Sequence, residues 1–201
     1  MKAELSIDRI VEQAPHYAIG FILAGGRSSR MGTDKARVKV GEKSMLSIAQ
    51  SVLGSAALNQ HFVVGGDAAD LTESYPGQGP ASAIAHILQQ FTASAAVKGV
   101  ALFLPVDMPN LSVSALNHLL KLSHELLRPV YYNDCYLPLV LPVSADVIAI
   151  TKALVADDPC LSVRKLLQGT QAISEPFTGN PQEMVNINRP EDLTRLTTKI
   201  V

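Results

Sequence analysis

The chain has 201 residues, of which 47% are hydrophobic, and its 17 lysines and arginines against 18 aspartates and glutamates leave a net charge of −1 and a pI near 6.5. That balance provides no broad positive field to attract nucleic acid or an anionic membrane, and no apolar run approaches the ~20 residues of a membrane span. Two cysteines without C-x-x-C spacing fit a reducing cytoplasm, and the start of the chain lacks a basic-then-apolar signal pattern.

In chain order, Leu5, Ile7, Ile10 and Val11 stand among charges and predict a short amphipathic helix, an extension over residues 1–17. Residues 18–201 are of a length for one domain around one core. Strand patterns fall at 18–23, 62–64, 99–104, 129–132 and 137–141, and helical patterns at 45–57, 81–91, 113–126 and 145–155. A short strand is expected at 185–187, and Pro190 is placed to open a last helix over 191–197. Strands alternating with helices of ten or so residues require right-handed crossovers. The fold class is therefore α/β, a three-layer sandwich with a mostly parallel central sheet covered by helices on both faces.

The run FILAGGRSSRMGTDK, residues 21–35, sets a strand against a glycine loop. Ala24, Gly25 and Gly26 remove the side chains that keep a ligand off the backbone, so bare N–H groups can surround a phosphate there. Arg27, Arg30 and Lys35 follow and can neutralise several phosphate oxygens, which points to a polyphosphate. The run matches neither G-x-G-x-x-G nor G-x-x-x-x-G-K-[ST].

Ligands of parallel α/β sheets bind beyond the carboxyl ends of the strands, which selects two further loops. Pro105-Val106-Asp107-Met108-Pro109 leaves an apolar strand with one carboxylate. Asp107 is either a Mg²⁺ ligand, since Mg²⁺ commonly takes one or two carboxylates plus substrate phosphates, or a turn residue before the helix that begins near Ser112. Gly79-Pro80 opens the helix 81–91 and can present its first N–H groups to a ligand.

Together these segments resemble the molybdenum cofactor guanylyltransferases, within the nucleotidyltransferases of nucleotide-diphosphosugar-transferase-like fold with its Rossmann-like N-terminal half. LAGGRSSRMGTDK fits that family's L-A-G-G-x-S-x-R-M-G-x-D-K position by position. GPASAI at 79–84 is similar to G-P-L-x-G-I, PVDMPNLS at 105–112 to the C-D-x-P segment, and VNINRPEDL at 185–193 to V-N-x-N-T-P-E-[ED]-L. The resemblance implies GMP transfer from GTP to the terminal phosphate of a molybdopterin acceptor, with Mg²⁺ as cofactor and pyrophosphate as leaving group. It places Leu23, Ala24 and Gly25 at the base and ribose, Gly26, Arg30 and Lys35 at the phosphates, and Asp107 and Asn188 at the metal. It also implies a cytoplasmic enzyme with transient contact to molybdenum cofactor proteins. Such transfer depends on positioning and charge neutralisation, so no nucleophilic triad is needed.

The chain departs from the family at four places. Ala83 replaces a glycine where backbone approaches the base, Gly65 replaces an asparagine, and Leu137 replaces a histidine on the acceptor side. Glu73 stands one residue out of register as the acidic reader of guanine. These departures keep open a relative with another phosphate acceptor, such as a sugar or alditol phosphate, and a non-catalytic nucleotide-binding protein. The five histidines show no metal-binding spacing, Cys135 and Cys160 read as small buried groups, and Asp157-Asp158-Pro159 reads as a turn. Arg164 and Lys165 are either a solvated helix face or, by the resemblance, contacts to the acceptor phosphate.

Overall fold

The computed structural model describes residues 16–25, 34–72, 78–91, 98–133, 135–189 and 191–193. The strands are β1 (His16–Leu23), β2 (Lys39–Val40), β3 (Lys43–Ser44), β4 (Gln60–Val64), β5 (Lys98–Pro105), β6 (Val130–Tyr132), β7 (Leu139–Val143) and β8 (Ile173–Glu175). The α-helices are α1 (Met45–Ser55), α2 (Pro80–Leu88), α3 (Val113–Leu126), α4 (Ala145–Asp157) and α5 (Val163–Gly169), with single 3₁₀ turns at Lys35–Arg37 and Pro181–Met184.

Six strands form one sheet in the order β4-β1-β5-β7-β6-β8, and β2 pairs with β3 alone. β1 is parallel to β4 and β5, β6 is parallel to β8, and β7 is antiparallel to both its neighbours. Five of the six strands therefore run the same way and end at one edge. Alternation along β1 and β5 divides the core between the two faces of the sheet. Ile19, Phe21, Leu23, Ala101 and Phe103 pack under α2, α4 and α5. Ile22, Val100, Leu102 and Leu104 pack with α1 and α3. Both faces are covered, which explains why these strands read as unbroken apolar runs. Ser44, Ser112, Ser144 and Ser162 cap α1, α3, α4 and α5 by accepting a bond from the backbone N–H three residues on.

The differences from the sequence expectation are local. The N-terminal helix falls on residues 1–15, outside the described residues, but His16 and Tyr17 belong to β1, in register with Lys98 and Gly99. The Tyr17 ring lies over Gly99, where any Cβ would stand 2.0 Å from it, so only glycine lets β1 extend this far. Residues 137–138 are outside β7, because Pro138 has no N–H for the ladder. Residues 185–187 form no strand; the segment makes a single backbone bond to the loop after β5. β8 and the β2–β3 hairpin carry too few residues to show a period. Residues 191–193 are helical, and the rest of the expected last helix lies outside the described residues.

Two buried phenols give the fold a pH limit. Tyr132 donates to the Ala115 carbonyl at 2.8 Å, joining β6 to α3. Burial pushes both Tyr17 and Tyr132 up to about 12, with Glu175 and Glu183 adding to the effect at Tyr132. An unfolded chain loses those protons near pH ~10. The native state then binds more protons than the unfolded one, so stability is complete below pH ~10 and declines as pH rises toward about 12. Urea midpoints across that range should fall, and Tyr17→Phe and Tyr132→Phe should each flatten the slope; an unchanged slope in both variants contradicts the assignment.

Candidate active site

The loops leaving the carboxyl ends of β1, β5 and β6 converge on a cleft of about 620 Å³, within the range of small-molecule sites. Following the strand order, Leu23 to Gly25 lie on one side, Asp107 stands in the middle, and Asn133, Tyr136 and Leu137 form the other side.

The β1 end is tied into the sheet. Ala24 N and Gly25 N both donate to Val64 O, at 2.9 and 3.1 Å, and Val106 N donates to Leu23 O. The first two amides of the glycine turn are therefore not bare. Gly26, Arg27, Arg30 and Glu73 lie outside the described residues.

Lys35 opens the 3₁₀ turn that follows. Asp34 caps the turn by accepting from Ala36 N at 3.0 Å, and the buried Ala36 anchors it. Lys35 Nζ donates to Asp107 Oδ2 and to Asn188 Oδ1, both at 2.7 Å. The pair is shielded, with side-chain exposures of 21% for Lys35 and 12% for Asp107. Asp107 is not the cap of α3, since Ser112 has that role. Its backbone carbonyl accepts from Ile187 N at 2.8 Å, which brings the 185–188 segment alongside. That segment is extended, so Ile187 points into the core while Asn186 and Asn188 share the opposite side. Asp192 Oδ2 holds the turn after it by accepting from the N–H groups of Asn188 and Arg189.

Asp107 Oδ1 and Asn186 Oδ1 are buried without a hydrogen-bond partner among the described residues. Buried acceptors are normally satisfied, so two beside one cleft mark a place where a ligand supplies the missing contact. No group of three or more His, Cys, Asp or Glu side chains placed to hold a metal ion occurs among the described residues. One carboxylate with amide oxygens nearby fits Mg²⁺ when substrate phosphates complete the shell. Asn186 lines the cleft and was absent from the sequence expectation. Its spacing of two from Asn188 is the signal that finds it.

Other expected residues divide. Gly79 stands at the N-cap of α2, with Pro80 on the cleft wall. Ala83 lies on the buried face of α2, so its methyl fills the interior and does not narrow the cleft. Gly65 has φ +72, a left-handed conformation that asparagine also tolerates; the backbone course survives without the side chain. Leu137 lines the cleft. Cys135 is half-buried in the cleft, and Cys160 is exposed because it lies in the turn after α4, which corrects the buried reading of both. Asp158 ends α4 and accepts from Cys160 N at 3.2 Å and from Lys165 Nζ at 2.8 Å, a turn as expected. That bond holds Asp158 below and Lys165 above their ordinary ranges. His118 is a surface residue bonded to Glu175 at 3.0 Å.

The carboxyl edge of this mostly parallel α/β sheet carries a glycine turn, a shielded lysine–carboxylate pair and two oxygens without partners among the described residues, and the family match places the protein among the nucleotidyltransferases. Residues 20–174 match the MobA-like NTP transferase domain, and the chain belongs to that family. Its relatives include a molybdenum cofactor guanylyltransferase of Xanthomonas euvesicatoria, 36% identical over 88% of this chain and 93% of that protein. Molybdopterin-guanine dinucleotide biosynthesis protein A of Archaeoglobus fulgidus shares the fold, with a TM-score of 0.69 at 18% identity over 88% of this chain and 95% of that one. A Mycobacterium tuberculosis H37Rv protein solved in complex with manganese shares it at a TM-score of 0.61 and 16% identity, over 90% and 97% of the two chains. The protein is thus a nucleotidyltransferase with a role in molybdenum cofactor biosynthesis.

Proposed function

We propose that the protein transfers GMP from GTP to the terminal phosphate of molybdopterin and releases pyrophosphate, with Mg²⁺ at Asp107. The observation that carries this reading is the Lys35–Asp107–Asn188 cluster, which lies at mid-cleft between the glycine turn and the 133–137 loop. In this reading a nucleotide sits on the β1 side and an acceptor on the β6 side, with the reacting phosphates at the cluster. The guanylyltransferase name of the Xanthomonas relative supports guanine, as do the LAGG form of the turn and GPASAI at 79–84. The manganese complex of the Mycobacterium neighbour supports a divalent cation.

In this reading Leu23, Ala24, Gly25 and Gly79 line the base and ribose, Glu73 reads the guanine edge, and Gly26 and Arg30 meet the phosphates. Lys35 neutralises charge on the triphosphate. The acceptor's terminal phosphate oxygen forms a bond to the α-phosphorus of GTP while the bond from that phosphorus to the bridging oxygen breaks, and pyrophosphate carries the electron pair away. Asp107, Asn188 and Asn186 would hold Mg²⁺, which when bound supplies charge neutralisation on the transferred and leaving phosphates. Tyr136, 48% exposed at the rim, and Leu137 offer an apolar wall to the acceptor's ring. The same reading carries the cytoplasmic setting and transient contact with molybdenum cofactor proteins.

Pyrophosphate release with GTP, CTP and a panel of acceptors tests the assignment; activity only with a sugar phosphate would sink the molybdopterin claim. That outcome is the second reading, and Leu137 on the acceptor wall is the observation that favours it. Lys35→Ala should weaken binding of GTP more than of GDP in calorimetry, by about tenfold, the scale of one lost charge-assisted contact. Equal losses for both nucleotides would misplace Lys35.

A further inference from the structure

Asp107 Oδ2 and Asn188 Oδ1 hold the Lys35 ammonium, each 2.7 Å from Nζ, and both residues belong to the set, Asp107, Asn188 and Asn186, assigned above to the metal. An ammonium ion therefore occupies the cation seat in this conformation. We propose that Lys35 is a placeholder for the metal. It fills the seat while the nucleotide is away and leaves it when a triphosphate arrives, so that the metal enters with the nucleotide and not before it. This inference rests on the reading of the cleft as a triphosphate and divalent-cation site.

The reasoning is electrostatic. A free divalent cation approaching Asp107 meets a positive charge already bonded to the carboxylate, and the shielding of the pair keeps water and salt from screening the repulsion. Displacing the ammonium by metal alone breaks its bond to Asp107 and provides no new anion for it. A triphosphate changes both terms. It draws the ammonium onto phosphate oxygens, exposes Asp107 Oδ2 and Asn188 Oδ1, and brings further oxygens for a cation that requires about six. The movement asks little of the backbone, because Lys35 sits in a 3₁₀ turn fixed by the Asp34 cap and buried Ala36, and its four-carbon stem is flexible. Asp107 Oδ1 and Asn186 Oδ1, which have no hydrogen-bond partner among the described residues, are the acceptors a more highly charged cation of higher coordination number would use.

Equilibrium dialysis of Mn²⁺ against the full chain tests the proposal without an activity measurement. The nucleotide-free wild type should bind Mn²⁺ weakly. Lys35→Met, which keeps the stem and removes the charge, should bind it about tenfold tighter without nucleotide, within the 5–150-fold span of typical site coupling. Asp107→Asn should abolish that gain in the Lys35→Met background, which locates the ion. GTP should tighten Mn²⁺ binding to the wild type, after correction for Mn–GTP in solution, and Mn²⁺ should tighten GTP by the same factor. Lys35→Gln supplies the comparison if Lys35→Met fails to fold by circular dichroism. Unchanged Mn²⁺ affinity in the folded lysine variant, or equal wild-type affinity with and without any triphosphate, overturns the proposal. A gain with CTP but none with GTP supports the exchange and overturns the guanine assignment instead.

Discussion

Asp107→Ala is expected to lower metal-dependent transfer at least about a thousandfold, roughly 4 kcal/mol of transition-state stabilisation, while leaving the fold in place. The side chain bonds the Lys35 ammonium and is the one negative ligand assigned to the metal, so its loss disturbs both charge-neutralising groups together. The ties that shape the loop use the backbone. Ile187 N bonds the Asp107 carbonyl, and Val106 N bonds the Leu23 carbonyl, and both survive the substitution. Removing the carboxylate also removes the unsatisfied Oδ1, which offsets part of the lost ion pair. The stability change should therefore be about 1–3 kcal/mol, between the scale of an exposed pair and that of a buried one. Pyrophosphate release and urea unfolding on the same preparation separate the two effects. Asp107→Asn, which keeps the shape and loses the charge, should be nearly as inactive. Turnover equal to wild type in either variant would remove Asp107 from the mechanism.

Phe21→Ala is expected to destabilise the protein by about 3–5 kcal/mol, a large share of the roughly 5–15 kcal/mol that holds a domain together. Phe21 is fully buried on β1, between β4 and β5. Its ring stacks on Phe103 with centroids 5.2 Å apart, lies 5.9 Å from Phe62, and meets Phe91 edge-on at 6.2 Å. Truncation removes buried area and three aromatic contacts and leaves a cavity between β1, β5 and α2. The site should feel the change as well. Two residues on, Leu23 enters the turn whose amides are fastened to Val64 O, so loosening β1 loosens that wall of the cleft. Phe21→Leu should recover more than half of the loss. A shift in the urea midpoint equivalent to less than about 1 kcal/mol for the alanine variant would contradict the placement of Phe21 at the core's centre.

Much of this architecture was legible because the residues that make it are close in sequence. The apolar runs of β1 and β5 and the 3.6-residue patterns of α1 to α4 each act within one element. The segments 185–187 and 137–138 misled for a shared reason. Apolar residues in an extended run look like a strand, but a ladder requires a partner edge or a free N–H, which the chain pattern does not reveal. The reversed direction of β7 was there to be read, since the six residues between Tyr132 and Leu139 are too few for a parallel crossover.

The sequence by itself determined that a strand runs into a glycine turn followed by Lys35, that Asp107 leaves a second buried strand, and that two asparagines stand two apart near the end. Local chemistry and spacing are sufficient for each of those. Only the tertiary structure decided that they meet. Lys35 reaches across 72 residues to Asp107 and 153 to Asn188, because parallel strands β1 and β5 end side by side and Ile187 bonds the Asp107 carbonyl. It also decided that the Ala24 and Gly25 amides serve the sheet and that the Lys35 ammonium bonds Asp107 and Asn188. Both depend on which buried polar group finds which partner, and that is settled by packing across the whole chain.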